Sequence, residues 1–121
     1  MLNGCKVGDA KLTRGYRLPA RHVIHTVGPV WQGGDNGEPA LLASCYRRSL
    51  EIAYAHGLAT VAFPGISTGI YRYPARLAAD VAIGTIVDFL TSRDLPQQVI
   101  LCAFDAIATQ IVHDALLAAA E

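Results

Sequence analysis

Charge is scarce in this sequence. Asp, Glu, Lys and Arg make up 17% of its 121 residues, ten acidic and ten basic, so the formal net charge is zero. Nothing in that balance suggests nucleic acid or an anionic membrane surface as a partner. Cysteine is scarce as well. Cys5, Cys45 and Cys102 are far apart and odd in number, which argues against a disulfide framework or a zinc site and reads as reduced thiols in a cytoplasmic protein. No apolar run approaches membrane-spanning length, and the N-terminus lacks the apolar core of a signal peptide. Repeats, low-complexity segments and linkers are missing too, so residues 1–121 read as one domain. His22 and His25 stand three apart on an extended segment, where they point to opposite faces and cannot pinch one metal; His25 reads as an inward polar residue with a backbone partner. His56 falls near a helix C-terminus, where its charge is favourable. No metal and no cofactor is implied.

What is abundant is apolar surface, 52% of residues. The chain is organised around Thr60-Val-Ala-Phe-Pro-Gly-Ile-Ser-Thr-Gly-Ile-Tyr-Arg-Tyr-Pro-Ala75. A β-type run ends at Pro64, a loop with Gly65 and Gly69 follows, and Pro74 opens a long helical pattern. Strand, glycine loop and helix is how a chain presents bare backbone N–H groups and a helix N-terminus to an anion. Ser67 and Thr68 are expected to add hydroxyl donors. The competing explanation is a tight strand-to-helix turn with no ligand.

The rest of the chain supplies the frame. Ala10 to Thr13 and Arg21 to Val27 are expected as antiparallel neighbouring strands across a short turn. Pro39 opens a helix to about His56, with Leu42, Cys45, Ser49, Ile52 and Ala53 inward and Gly57 as its left-handed terminator. The helix after Pro74 runs to about Thr91 and carries Leu77, Val81, Gly84, Val87 and Leu90. Val99 to Phe104 is a second wholly apolar strand. Asp105 is a good N-cap for a last helix with Ile107, Ile111, Ala115 and Leu116 as apolar positions. Apolar strands alternating with helices predict an α/β fold with a parallel sheet covered on both faces. Ligands in such sheets sit at the carboxyl ends of the strands, so residues 65–73 and Phe104-Asp105 come together as a phosphate cradle beside an aromatic. Phe104 is equally explained as a buried end-of-strand residue.

Gly65-Ile-Ser67-Thr-Gly69 also matches the nucleophile elbow of serine hydrolases, with Asp105 and His113 following in the right order. Against it, Ile70 to Tyr73 separate the loop from its helix, His113 lies inside a helical pattern, and the chain is short for that fold. A ligand-free structural or oligomeric module is the other reading.

Several segments resemble the macrodomains, the α/β domains that bind or hydrolyse ADP-ribose derivatives. They are Gly8-Asp-Ala-Lys-Leu-Thr13, Leu18-Pro-Ala20, His22-Val-Ile-His-Thr-Val-Gly-Pro-Val-Trp31, Phe63-Pro-Gly-Ile-Ser-Thr-Gly-Ile-Tyr71, Tyr73-Pro74 and Cys102-Ala-Phe104. The match runs through the whole chain in the family's order and looks closest to the bacterial O-acetyl-ADP-ribose deacetylase branch. The resemblance implies a three-layer mixed sheet with helices on both faces, here about four strands and three helices. It implies an ADP-ribose-like ligand held by Gly65, Ile66, Ser67, Thr68, Gly69, Ile70 and Tyr71 around the diphosphate and distal ribose, with Phe104 against the adenine. Arg72 departs from the pattern, since the family commonly has glycine there; the side chain is expected either to reach a phosphate or to stiffen the loop.

The family's first third has no counterpart in the sequence. With it go the adenine-gripping aspartate, the Asn-rich strand end and the glycine loop most often tied to hydrolysis; Gly33-Gly34-Asp35 follows the wrong strand to replace that loop. The resemblance therefore predicts an N-terminally truncated macrodomain with no assignable catalytic residue and weak, absent or residual ligand binding. One missing strand belongs mid-sheet, between the strands at His22 to Val27 and Val61 to Phe63. Either the sheet closes by direct pairing or apolar edges stay open, and open edges predict a homodimer or larger assembly.

Overall fold

A computed structural model describes residues 6–14, 22–69, 71–103 and 105–120. Its elements in chain order are β1 (Ala10–Arg14), β2 (His22–Thr26), α1 (Glu38–Ala55), β3 (Thr60–Phe63), α2 (Ala75–Leu90), β4 (Gln98–Leu101) and α3 (Ala106–Ala120). The expected four strands and three helices are therefore present, in an α/β arrangement.

β1 and β2 pair antiparallel, Ala10 opposite Thr26 and Arg14 opposite His22. β3 and β4 pair in parallel, Thr60 opposite Gln98 and Phe63 opposite Leu101. Among the described residues no ladder joins β2 to β3. Of the two outcomes the sequence left open, the sheet does not close by direct pairing.

Helix boundaries follow local chemistry. Gly37, at φ 74°, precedes α1, and Pro39 falls in its first turn, where its missing N–H is not needed. Gly57, at φ 66°, ends the helix as expected; its N–H donates to Tyr54 O at 3.1 Å, and that of Leu58 to Ala53 O at 2.9 Å. Asp105 caps α3, its Oδ1 accepting from the Ala108 N–H at 2.8 Å.

The inward faces are rotated from those expected. In α1, Leu42, Cys45, Ser49 and Ala53 are buried, but Tyr46 and Leu50 join them in place of half-buried Ile52. In α2 the buried face is Ala78, Ala79, Ala82, Ile83, Thr85, Ile86 and Phe89, while Leu77 and Val87 are about half exposed. Small alanines face α1 here, so large residues on both flanks compete as the inward stripe in a pattern search. In α3 only Ala115 of the expected set is buried, and Ile107 is 74% exposed.

One core joins α1, α2, β3 and the loop after it, with Phe63, Ile66, Tyr73 and Phe89 at its centre. A smaller cluster of Ala79, Ile83 and Ala115, with Leu101, Ile111 and Val112 beside it, seats α3 on α2 and β4. The helices so described lie on the face carrying Val61, Phe63, Val99 and Leu101. The other face, with Ala62 and Ile100, is exposed. Strand alternation gives the helices named here only every second side chain. The same alternation corrects His25: Ile24 packs on the core, and His25 is exposed.

Candidate functional site

The parallel pairing of β3 and β4 brings their carboxyl ends side by side, as a ligand site in such a sheet requires. Residues 64–73 leave β3 there and lead into α2. The Tyr73 N–H donates to Ser67 O at 2.9 Å and that of Arg72 to Gly69 O at 3.1 Å, folding the loop back on itself. Trp31 holds it from the side: its N–H donates to Tyr71 O at 2.8 Å, and its ring lies 4.7 Å from that of Tyr73. From below, Tyr46 packs on Phe63 at 4.9 Å between ring centroids. Burial raises the Tyr46 phenol to about 12, against a smaller opposing effect of hydrogen bonding with the Ile66 backbone, so it is a neutral group at any physiological pH.

The loop divides two cavities. One, of about 580 Å³, opens at the carboxyl ends of β3 and β4, with Thr68, Gly69, Ala75 and Asp105 on its wall. The other, of about 760 Å³, lies between β2 and β3, with Ser67 and Tyr71 on its wall. Gly65 and Ile66 border both. The sequence-predicted residues are therefore on one loop but not in one pocket. Ile70 and Phe104 lie outside the described residues.

Ser67 does not present its hydroxyl to the first cavity. The residue is 9% exposed, its φ is 65°, and Oγ is buried with no hydrogen-bond partner among the described residues. The expected hydroxyl donor is thus turned inward, because the left-handed backbone at this position aims the side chain beneath Gly28. A Cβ on Gly28 would lie 2.1 Å from Ser67 Oγ and 2.6 Å from Ile66 Cγ2. Gly28 therefore permits the contact between the end of β2 and the loop. The backbone N–H groups of Gly65, Ser67, Thr68 and Gly69 bond to no described protein group, which leaves them open to an anion beside the N-terminus of α2. A Cβ on Gly69 would meet nothing within 4 Å, so the space in front of it is open, and φ at Gly69 is not positive.

Arg72 has φ 62°. That explains why glycine suits the position: an L side chain in the left-handed region is strained.

Glu38 is a site-forming residue that sequence reasoning missed. It is 1% exposed, and its carboxylate accepts from the N–H groups of Gln32 at 2.8 Å, Gly34 at 3.0 Å and Asn36 at 2.7 Å. Burial pushes its carboxyl up, but these donors together outweigh it and hold the group below the ordinary value. Burial, and then the Glu38 charge, raises the Tyr73 phenol. The usable signal was a glycine-rich loop followed by an acidic residue at a helix start.

Three carboxylates on α2 and at the start of α3 are engaged. Asp80 pairs with Arg76 at 3.0 Å and Asp88 with Arg47 at 2.8 Å. Asp105, on the wall of the first cavity, caps α3. The hydrolase elbow fails on the same geometry: Ser67 Oγ is buried and unpartnered, Asp105 serves as a cap, and His113 is exposed on α3. Among the described residues no group of His, Cys, Asp and Glu could hold a metal, and no helix is long and apolar enough to cross a membrane.

Comparison with known proteins adds a family. The model described as Macro domain matches residues 1–82. A macro domain-containing protein of Mesorhizobium japonicum is 58% identical over 118 residues, covering 98% of this chain and 67% of that protein. An O-acetyl-ADP-ribose deacetylase of Citrobacter rodentium is 46% identical over 107 residues, covering 88% of this chain and 60% of its own length. A solved Oceanobacillus iheyensis macrodomain with ADP superposes with a TM-score of 0.91 at 37% identity, over 95% of this chain and 60% of that one. The chain thus spans about two thirds or less of the relatives it matches.

Proposed function

Because the chain belongs to the macro domain family, we propose that residues 64–73, with the ends of β3 and β4, bind ADP-ribose or a related nucleoside diphosphate. The observation that carries this reading is the row of open backbone N–H groups at Gly65, Ser67, Thr68 and Gly69 beside a cavity of about 580 Å³. That volume lies within the usual range for small-ligand sites. The N–H groups and the N-terminus of α2 hold the diphosphate, and Tyr71, at the far end of the loop, borders the distal ribose. The relatives' names and the ADP-bound superposition support the same ligand class.

Calorimetric titration with ADP-ribose tests it. Weak binding is expected, since the backbone N–H groups of one loop supply the diphosphate contacts. Gly69→Val fills the open space in front of the loop, so it should abolish binding and leave the melting temperature unchanged. Equal binding by that variant would place the ligand elsewhere.

Hydrolysis of O-acetyl-ADP-ribose is expected at background. Cradling a phosphate stabilises ground state and transition state alike, and Asp80, Asp88 and Asp105 are held in ion pairs and a helix cap. Turnover above a heat-killed control, lost in Tyr71→Phe, would show a catalytic group at the ribose end.

A homodimer belongs to this reading. Ala62 and Ile100, exposed on the helix-free face, are apolar surface that a second copy would cover. Light scattering that gives a monomer mass at high concentration overturns it.

A further inference from the structure

We propose that Glu38 is a positioning residue for the ligand loop: its carboxylate shapes residues 31–37 into a clamp on Trp31, and Trp31 holds residues 71–73 so that the loop presents its open N–H groups. The consequence for affinity rests on the nucleotide reading above, whereas the consequence for the ligand-free chain does not. Neither Glu38 nor Trp31 lines a cavity at the loop, so each acts on a ligand through what it holds.

The loop needs a hold. Ser67 and Arg72 sit at φ 65° and 62°, and backbone strain of that kind persists only where the surroundings over-determine it. Its internal bonds, Tyr73 N–H to Ser67 O at 2.9 Å and Arg72 N–H to Gly69 O at 3.1 Å, fold it on itself without tying it to a neighbour. At the Ser67 end the close approach of Gly28 fixes it. At the other end Trp31 does so, its N–H donating to Tyr71 O at 2.8 Å and its ring lying 4.7 Å from that of Tyr73. A shift at residues 71–73 passes through the two internal bonds to Ser67 and Gly69, whose own N–H groups belong to the open row.

Trp31 in turn depends on Glu38. Residues 33, 34 and 37 are glycines at φ 93°, 92° and 74°, and glycine has little conformational preference of its own. The shape of this segment is therefore set by what its N–H groups bond. Those of Gln32, Gly34 and Asn36 converge on the buried Glu38 carboxylate, and an ionised acceptor makes such bonds stronger than a neutral one does. The convergence lays Gly34 against the Trp31 ring, since a Cβ on Gly34 would stand 2.9 Å from Trp31 Cη2. The indole is thus held between Gly34 and Tyr73.

The effect of weakening this clamp is local. Glu38 begins α1, whose core contacts come from Leu42, Cys45, Tyr46 and Leu50 further along. Glu38→Gln keeps the side-chain shape and one carbonyl oxygen, so it loosens residues 31–37 and leaves that packing in place. Trp31 is the one tryptophan of the sequence, so its fluorescence reports the clamp alone. Because the indole lines neither cavity, a change in its emission on adding ADP-ribose arises through the loop.

The test compares the intact chain with Glu38→Gln, Trp31→Leu and the double variant. Without ligand, Glu38→Gln should make amide exchange at Arg72 and Tyr73 about fivefold faster, the effect of one lost hydrogen bond. Exchange at residues 60–63 and 98–101 should stay unchanged, and the Trp31 emission should move to longer wavelength as water reaches the ring. Calorimetry should show ADP-ribose bound about fivefold more weakly by Glu38→Gln. The double variant should bind no more weakly than Trp31→Leu, as for two residues on one route. Exchange faster by one common factor throughout the chain would make Glu38 a general stabiliser and overturn the proposal. So would unchanged exchange at residues 72–73, equal affinity in Glu38→Gln, or additive losses in the double variant. If the intact chain does not bind ADP-ribose, the nucleotide reading fails by itself, and exchange at residues 72–73 decides the positioning role.

Discussion

Two glycine-containing loops leave the strands on the same side of this molecule, and they solve the same backbone problem in opposite ways. Residues 31–37 place glycine at each of their left-handed positions, Gly33 at φ 93°, Gly34 at φ 92° and Gly37 at φ 74°. They turn three N–H groups onto the buried Glu38 carboxylate. Residues 64–73 place Ser67 and Arg72 at the left-handed positions, φ 65° and 62°, and use their glycines elsewhere. Their N–H groups find no internal anion. The first loop is relaxed and closed on a carboxylate of its own chain. The second is strained and open to an anion from outside, and strain in a well-packed loop tends to mark function. Glycine count alone points to the loop that is already closed on its own carboxylate.

The largest expected effect removes the internal anion. Glu38→Ala leaves three N–H groups of the first loop without an acceptor, so the melting temperature should fall by about 10 °C, a large shift for a small domain. Because the folded carboxyl lies below its ordinary value of 4.5, its stabilisation is complete above the carboxylate range and is lost as the pH falls through the depressed folded value. Glu38→Gln should flatten that acid limb. A residual slope remains from Asp9, whose carboxyl is held below its ordinary 3.8 chiefly by the Ala10 N–H and then by Arg48. An unchanged acid limb in Glu38→Gln would mean that the loop does not depend on the carboxylate.

Next in size is the contact that couples the second loop to β2. Gly28→Val would drive a side chain into Ser67 Oγ and Ile66, costing about 1–3 kcal/mol as overpacking does. It should weaken ADP-ribose binding as well, because the loop must move to accommodate it. Chemical denaturation and calorimetry on the same variant check both. Stability lost with affinity intact would uncouple the loop's position from its N–H groups.

Much of the fold was legible because it rests on local chemistry. Pro39, Gly57, Pro74 and Asp105 punctuate the helices as their types require, and the apolar runs at 60–63 and 98–101 form the parallel pair. Helix faces were less legible. The α1–α2 contact is built on Ala78 and Ala82, and small residues carry little weight in a hydrophobic stripe although they set how closely helices approach. At the site, the loop could be read from its glycines and the neighbouring helix start. The direction of the Ser67 hydroxyl could not, because it depends on a left-handed φ that serine rarely adopts. Nor could Gly28 and Glu38, whose roles arise from contacts made only once the chain is folded.

The smallest expected effect sharpens the contrast in strain. Arg72 is exposed, its N–H closes the turn onto Gly69 O at 3.1 Å, and its φ of 62° is one that glycine adopts without penalty. Arg72→Gly removes the steric conflict of an L side chain, worth roughly 1 kcal/mol, while giving up part of that gain to the greater freedom of glycine in the unfolded chain. The net expectation is a rise in melting temperature of a few degrees at most. The reverse substitution in the first loop, Gly34→Arg, should lower stability by more: φ there is 92°, and a Cβ would also meet Trp31 Cη2 at 2.9 Å. Binding separates the two explanations of Arg72. If the guanidinium reaches the ligand phosphate, Arg72→Gly gains stability and loses affinity for ADP-ribose, and the loss shrinks at high salt as the pairing is screened. If the side chain only stiffens the turn, affinity falls by the same small factor at every salt concentration. A drop in melting temperature in Arg72→Gly would show instead that the arginine makes a stabilising contact large enough to outweigh its backbone strain.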